Sequence, residues 1–544
     1  MANKNSNSPK TGFQLSGDFP PHSDDDWRKA AEKLLKGKPF DETLKSATDE
    51  GITISPIYSQ NDISISHNMT TLLRGRVSDN GWEIAQEIPV ATAAEFNKIL
   101  LRDLTVGQTA VTLILDDLSC NALDSDQGEP GEAGQGGVAI STLADLAAAL
   151  NDVDLTQAPL YMYCGTSGIF MGGFLAGLVK ERNLTLANIR GCIGGDPLSS
   201  IITGNEIVDS LEQYSAETAA FTKWAVDHAP ELQTIWIRGD AYHDRGATAV
   251  QELAISLAGA VSYVRQLQSG GLSVDQISPR IRFSFGLGGD FFMEIAKLRA
   301  ARLLWRQIVD AFGGAPVSQI MQLHGRTSRW HKAAADPHVN MLRVTTEALA
   351  GAIGGCDSLH VSPFDELLRQ PDDFSRRIAR NVQVILKEES LIDRVVDPAA
   401  GSWYAEFLTK NVAENAWALF QEIEALGGLP AAIDNGFPQK LISESAASRK
   451  ADIENGKIKL IGANIFQNPD EAALESRQPD YQQIDADRRA YLASYSQSKS
   501  SENCLAALNK LENSTPGELM ENVIDAVSTG ATLGEMSAAT RGNE

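Results

Sequence analysis

Three histidines of this chain, His243, His324 and His360, lie close to the ends of predicted strands, where side chains from different strands can meet. Neutral imidazole is a common zinc ligand, and the ends of parallel barrel strands lie side by side. One hypothesis is therefore a barrel enzyme that holds a metal ion between these rings. No cluster of carboxylates accompanies them in the sequence, and we predict no metal site.

Polar residues recur at every second position of the last three predicted strands. They are Ser284, Gln322, His324, Ser358 and His360. Side chains at alternate positions share one face of a strand, so this set can line the inside of a barrel. The expectation is then a polar, loosely filled lumen that binds a substrate threaded along the axis. The alternative is that these residues only mark the C-terminal strand ends, where barrel sites collect polar groups.

From residue 85 to residue 405, short apolar runs alternate with longer helical patterns, which is typical of repeated βα units. The candidate strands are residues 110–115, 160–164, 189–193, 234–238, 281–285, 320–324 and 358–361. Seven strands with helices between them predict a (β/α)8 TIM barrel in which one strand is undetected. An open doubly wound sheet is the alternative, but the first half of the region has no G-x-G-x-x-G turn.

Segments on both sides of the barrel complete the predicted α/β protein. Residues 1–84 are predicted to form an extended and helical arm, in which Ser23 and the three aspartates after it start a helix. Residues 406–544 are predicted to form a C-terminal helical region, because a cluster of helix breakers at 397–401 is followed by long helical patterns. The barrel itself is assigned to residues 85–405.

The composition excludes several classes of partner. The chain has 544 residues, with 71 Asp and Glu against 47 Lys and Arg, which gives a formal net charge of −24. Such a charge repels a phosphate backbone and an anionic membrane surface, so we expect neither nucleic acid nor a membrane as partner. The five cysteines form no C-x-x-C pair, and no apolar run suits a signal peptide or a membrane span. We therefore expect a cytoplasmic protein.

Several sequence blocks, spread over most of the chain, resemble the methylmalonyl-CoA mutases and occur in the order that the family shows. The blocks are residues 19–40, 51–58, 291–305, 336–360 and 379–402. The most recognisable is 291–305, which reads FFMEIAKLRAARLLW. The resemblance implies a (β/α)8 barrel whose axis is threaded by the pantetheine of an acyl-CoA substrate. It also implies an N-terminal arm that wraps a partner subunit.

The resemblance implies roles for individual residues as well. Tyr242 and His243 match the family's substrate motif, in which the histidine hydrogen-bonds the thioester carbonyl and can act as a catalytic acid. Trp82 is the clearest survivor of a segment that contacts substrate and corrin. The family binds adenosylcobalamin on a separate domain with a D-x-H-x-x-G motif, which these 544 residues do not contain. We therefore expect a large partner subunit to bind the cofactor, and this chain to bind none tightly.

The chain departs from the family's catalytic pattern where substrate is bound. Residues 81–88 lack the expected arginine, and residues 194–200 lack the glutamine and arginine of a substrate-binding block. The asparagine expected before Phe291 is Asp290, and residues 326–330 carry added bulk and charge at a barrel mouth. A malonyl carboxylate is best held by a bidentate guanidinium. We therefore expect an inner wall and rim without an arginine that can grip it.

These losses favour the non-catalytic small subunit of a heterodimeric methylmalonyl-CoA mutase. Its barrel would stabilise a large catalytic subunit, which would carry out the interconversion of methylmalonyl-CoA and succinyl-CoA. The alternative is the substrate-binding catalytic subunit of an acyl-CoA mutase that pairs with a separate cobalamin-binding protein. In that case the lost arginines point to an uncharged acyl chain.

Overall fold

The computed structural model describes residues 22–62, 81–204, 210–470, 474–499 and 501–542, which divide into two compact units at residue 61. The first unit contains helices α1 (Asp24–Leu34) and α2 (Phe40–Leu44) and an antiparallel pair, β1 (Ser46–Ala47) and β2 (Thr53–Ile54). The Ser23 hydroxyl accepts the Asp26 backbone N–H at 3.1 Å, as predicted for this helix start. Residues 1–21 and 63–80 of the predicted arm lie outside the described part.

The second unit is built around eight parallel strands. They are β3 (Glu83–Ile84), β4 (Val111–Ile114), β5 (Leu160–Tyr163), β6 (Gly191–Gly195), β7 (Leu232–Arg238), β8 (Ile281–Leu287), β9 (Gln322–Thr327) and β10 (Ser358–His360). Their order is β3-β10-β9-β8-β7-β6-β5-β4, and every pair is parallel. A further parallel bridge joins Glu87 to Thr112, so the two edges of the sheet meet. The prediction of an α/β TIM-barrel fold is confirmed.

The strand that the sequence did not reveal is β3. It has only two residues, and the alternation of apolar and polar side chains needs at least four to be visible. It lies inside residues 1–84, the segment assigned to the arm, although it pairs with β10 in the barrel. The barrel sheet therefore begins ahead of the expected residue 85.

Helices surround the sheet and cover the outward faces of the strands. Those that follow the early strands are α3 (Ala93–Leu104), α4 (Asp117–Cys120), α5 (Leu143–Ala149), α6 (Gly168–Glu181), α7 (Pro197–Ile202), α8 (Leu211–His228) and α9 (Gly239–Asp244). The later ones are α10 (Ala249–Ser269), α11 (Val274–Ile277), α12 (Phe291–Ala311), α13 (Asn340–Gly354), α14 (Asp373–Val384) and α15 (Trp403–Ala425). Apolar side chains fill the layer between sheet and helices; Phe283, for example, packs on Trp305 with ring centroids 5.0 Å apart.

The C-terminal region is helical, with α16 (Leu429–Asp434), α17 (Phe437–Glu454), α18 (Tyr481–Ser498), α19 (Ser501–Glu512), α20 (Leu519–Ser528) and α21 (Leu533–Arg541). Helix α20 packs closely on α6, where a Cβ at Gly173 would lie 2.6 Å from Val523 Cγ1. The Asp124 carboxylate accepts the Gly534 N–H at 3.0 Å and so caps α21. Among the described helices, none combines the length and the apolar character needed to cross a bilayer.

Candidate functional site

The five polar residues predicted to line the barrel lie on neighbouring strands, β8 to β10, at positions that alternate with outward apolar residues. His324 Nδ1 lies 2.8 Å from Ser358 Oγ, and His360 Nδ1 accepts the Glu87 N–H at 3.1 Å. Ser284 donates to the Asp240 carboxylate, and Gln322 stands half-buried at the start of β9. The structure brings these residues together, and their part in substrate binding stays a prediction.

A stack of large side chains crosses the lumen at the level of these residues. The Arg282 guanidinium lies 3.7 Å from the Tyr161 ring centroid and 5.1 Å from that of Trp236. Arg282 also donates to Ser358, and the Tyr161 hydroxyl donates to Glu83 on β3, two strands away. Trp236 contacts the His324 ring, with centroids 5.9 Å apart. We call Tyr161, Trp236 and Arg282 the lumen plug; their exposed fractions are 6%, 4% and 1%.

The lumen plug contradicts the expectation of a loosely filled barrel. That expectation was based on the small polar residues of β8 to β10. It did not consider the bulky residues that occupy inward positions on β5, β7 and β8. The alternation of Trp236 with Ile235 and Ile237 was the available signal, because it sets the tryptophan on the face opposite to the apolar helix layer. Lumen volume depends on every strand, so three polar strands do not make an open tube.

Arg238, Arg282 and Arg326 occupy inward positions, so guanidinium groups do lie on the inner wall and rim, and the expectation that none of them can grip a malonyl carboxylate stays a prediction. Each is already engaged by the chain itself. Arg238 Nη2 lies 2.7 Å from Asp240 Oδ2, and Arg326 contacts both Glu87 and Glu366 at 3.1 Å. Burial raises the pKa of Glu87, but the charges of Arg326 and His360 outweigh it and lower the pKa to about 2. Arg238 and Arg326 thus hold internal carboxylates, and Arg282 is held by Ser358 and two aromatic rings.

Above the lumen plug, the barrel mouth forms a cavity of about 430 Å³. Its wall combines the rim residues Glu87, Arg238, Arg326 and His360 with glycines of the loop after β4. Every predicted lining residue except His360 lies away from this cavity. Glu87, Arg326 and Glu366 therefore form an ion-pair network at the base of this cavity, and the exposed Arg329 also lines it.

Tyr242 and His243 lie on α9, directly after β7, and are 1% and 4% exposed. Neither lines the mouth cavity. The His243 ring packs on Gly286, where a Cβ would be 2.3 Å from His243 Cγ, and Nε2 lies 2.8 Å from Ser328 Oγ. Burial and the nearby Lys297 charge lower the pKa of His243 to about 4, so the ring is neutral at pH 7. The catalytic role implied for this pair stays a prediction.

A buried ionic cluster next to His243 was not predicted from the sequence. Lys297 Nζ lies 2.5 Å from Glu252 Oε2 and 2.6 Å from Glu294 Oε2, and the lysine and Glu252 are fully buried. Burial raises the pKa of Glu252 to about 7, while the two carboxylates raise that of Lys297 against the effect of burial. Glu294 and Lys297, three residues apart in an otherwise apolar helical stripe, were the available signal.

Trp82, the residue that the resemblance relates to the cofactor, is not placed to contact a cobalamin. Trp82 is 2% exposed and donates its indole N–H to Gln383 Oε1 at 3.0 Å, so its ring is not available to a corrin. His243 is buried with Nε2 engaged by Ser328, which leaves no exposed imidazole for cobalt at this position.

The metal hypothesis is wrong for the described residues, because no three His, Cys, Asp or Glu side chains converge as ligands. The rings of His243, His324 and His360 instead contact serine hydroxyls or Glu87.

The buried His360 predicts a loss of stability in mild acid. Burial lowers its pKa to about 4 from the usual 6.5, so folding favours the neutral ring. The contribution of the neutral ring to the free energy of unfolding is complete above pH 6.5 and is lost as the pH falls through 4. The loss is on the order of 3 kcal/mol in total. Urea unfolding at several pH values should therefore show a smaller acid loss for His360→Gln than for the wild type. His22→Gln, at an exposed residue, is the control and should keep the wild-type slope.

The family is shown by comparison with known proteins. Residues 47–544 match the family model described as methylmalonyl-CoA mutase. The chain is 35% identical to the methylmalonyl-CoA mutase of Cereibacter sphaeroides over 95% of its own length and 74% of that protein. It is 33% identical to the Escherichia coli methylmalonyl-CoA mutase over 94% of its own length and 74% of that protein. It is also 34% identical to the methylmalonyl-CoA mutase large subunit of Propionibacterium freudenreichii subsp. shermanii over 84% and 64%. The chain therefore belongs to the methylmalonyl-CoA mutase family.

Proposed function

We propose that this chain is a non-catalytic small subunit of a heterodimeric, adenosylcobalamin-dependent methylmalonyl-CoA mutase. It stabilises a large subunit that binds the cofactor and isomerises methylmalonyl-CoA and succinyl-CoA. The observation that carries the proposal is the lumen plug. None of the five cysteines, all of which lie in the described part of the chain, forms a disulfide, which fits a reducing cytoplasmic location.

The lumen plug argues against a threaded acyl-CoA. Tyr161, Trp236 and Arg282 come from β5, β7 and β8 and reach partners on β3, β9 and β10, so the stack spans six of the eight strands. A pantetheine chain would have to displace Arg282 from two aromatic rings and a serine. A desolvated cation–π contact alone stabilises by about 2 kcal/mol, and the buried guanidinium would lose its hydrogen-bond partner as well.

The rim argues against a dicarboxylic acyl group for a second reason. Arg326 is shared by Glu87 and Glu366, and Arg238 is held by Asp240. A malonyl carboxylate held by Arg238 or Arg326 would have to break one of these buried pairs, which costs about 3–5 kcal/mol when a charge is left unpaired. Arg326 therefore links β9 to the segments that follow β3 and β10, whereas Arg238 pairs with a carboxylate just after its own strand.

Titration calorimetry on the isolated chain tests the proposal directly. Methylmalonyl-CoA, succinyl-CoA and adenosylcobalamin should each give no saturable heat, whereas a large mutase subunit should bind them under the same conditions. Co-expression with that subunit should yield a co-purifying complex with a higher unfolding temperature than either chain alone.

Two results would overturn the small-subunit proposal. Saturable heat with an acyl-CoA ester would support instead the substrate-binding subunit that pairs with a separate cobalamin-binding protein. Failure of the two chains to co-purify would remove the structural role. Acetyl-CoA should be included in the titration, because the alternative favours an uncharged acyl group.

A further inference from the structure

The hydrogen bonds around His243 determine which of its two ring nitrogens carries the proton. We infer that Ser328 and Glu252 are positioning residues that hold His243 as the neutral tautomer with its proton on Nδ1, so that Nε2 can only accept a hydrogen bond. The inference concerns this ring alone and does not depend on the small-subunit proposal.

The Ser328 hydroxyl sets the role of Nε2. Its oxygen accepts the backbone N–H of His331 at 3.0 Å and lies 2.8 Å from His243 Nε2. Ser328 is 1% exposed, so no solvent competes for the hydroxyl proton. A hydroxyl has one proton to donate. Among the described residues, His243 Nε2 is the acceptor for the Ser328 proton. Ser328 therefore donates to Nε2.

The Glu252 carboxylate sets the role of Nδ1. Glu252 Oε2 lies 3.6 Å from Nδ1. The carboxylate cannot turn away, because Oε1 accepts the Gly286 N–H at 2.7 Å and Oε2 pairs with Lys297 at 2.5 Å. Oε2 accepts a hydrogen bond from Lys297 and so turns a lone pair, not a proton, towards Nδ1. A bare nitrogen lone pair opposite it would be repelled, whereas an N–H is attracted. Glu294, Lys297, Asp244 and Arg449 are the other charged groups that act on the ring, and they come from α9, α12 and α17.

The contacts of Ser328 and Glu252 with His243, which we call the lock, limit the chemistry of this ring. A ring nitrogen that accepts a hydrogen bond has no proton to give, and the Nδ1 proton points at Glu252. His243 therefore cannot supply a proton to a carbonyl at Nε2 while the Ser328 contact exists. The spacing of Ser328, His243 and Glu252 also resembles a nucleophile, base and acid in series. Because Ser328 is buried and Glu252 Oε2 lies 3.6 Å from Nδ1, Ser328 is a positioning residue and not a nucleophile.

Nitrogen NMR of the full chain, deuterated and labelled with ring-¹⁵N histidine, tests the lock. The His243 signals are assigned by their loss in His243→Gln. We expect a protonated Nδ1 and a non-protonated, hydrogen-bonded Nε2 in the wild type. Ser328→Ala should move the Nε2 signal towards that of a nitrogen without a hydrogen bond, and Ser328→Thr, which keeps the hydroxyl, should restore it.

A protonated Nε2 in the wild type, or an unchanged Nε2 signal in Ser328→Ala, would overturn the inference. The wild-type assignment decides on its own if the alanine variant does not fold. Incubation with a fluorophosphonate probe adds a second readout. No label is expected on Ser328, and a covalent adduct there would identify a nucleophile and sink the lock.

Discussion

Replacing Lys297 with methionine should lower the free energy of unfolding by about 3–5 kcal/mol, the usual cost of leaving buried carboxylates without their counter-charge. Lys297 is fully buried and is the only lysine that contacts Glu252 and Glu294 among the described ion pairs. Methionine keeps the length of the side chain, so the loss measures charge and hydrogen bonding more than volume. Urea unfolding at pH 8, where Glu252 is mostly ionised, gives the largest effect.

Two controls separate the buried cluster from a general effect of removing lysine. Lys410→Met removes an exposed lysine on α15 whose partner Glu414 is 3.9 Å away, and should change the free energy by less than about 1 kcal/mol. The triple change Lys297→Met, Glu252→Gln and Glu294→Gln removes all three charges and should recover part of the loss. A loss below 1 kcal/mol for Lys297→Met alone would show that the carboxylates are protonated or hydrated without it.

The barrel could be predicted from the sequence because its signal is local and repeated. Seven of the eight strands show apolar runs between helical patterns, and each run gives the same information independently of the others. The strand β3 was missed because it has two residues, and its place in the sheet is fixed by pairing with β10, which is 275 residues away in the register Ser358 with Glu83. Such a pairing leaves no local pattern.

The candidate site was predicted less well, because contacts across a barrel depend on register. The sequence indicated that Ser358 and His324 share the inner face of the barrel, and the structure places Ser358 Oγ 2.8 Å from His324 Nδ1. It did not indicate that Trp236 is level with Arg282 and that both lie against Tyr161, two strands further round. The sequence also did not indicate that Arg238 and Arg282 take inward positions and contact groups of the barrel itself. Which side chains meet in the lumen follows from strand stagger, which no single strand encodes.

Removal of the Trp236 side chain from the lumen plug should strongly destabilise the folded protein. Trp236→Ala should lower the free energy of unfolding by about 3–5 kcal/mol, the range for deleting a large buried aromatic side chain. Among the described residues the Trp236 indole N–H has no hydrogen-bond partner, so the loss comes from packing and from the contacts with Arg282, Tyr161 and His324. Urea unfolding measures it.

Indole added to the variant distinguishes a hole in the lumen from a general loss of packing. A cavity of the shape of the deleted side chain binds the free ring, and a ligand that binds only the folded state raises its stability. Indole should therefore raise the unfolding temperature of Trp236→Ala and leave that of the wild type unchanged. Trp224→Ala, at a buried tryptophan on α8 that stacks on Phe221 outside the lumen, is the matched control. No rescue of Trp236→Ala would mean that the barrel collapses around the missing ring, and the lumen plug would then be a replaceable filling and not a rigid barrier. Equal rescue of Trp224→Ala would mean that indole fills any hole left by a tryptophan and does not report on the lumen.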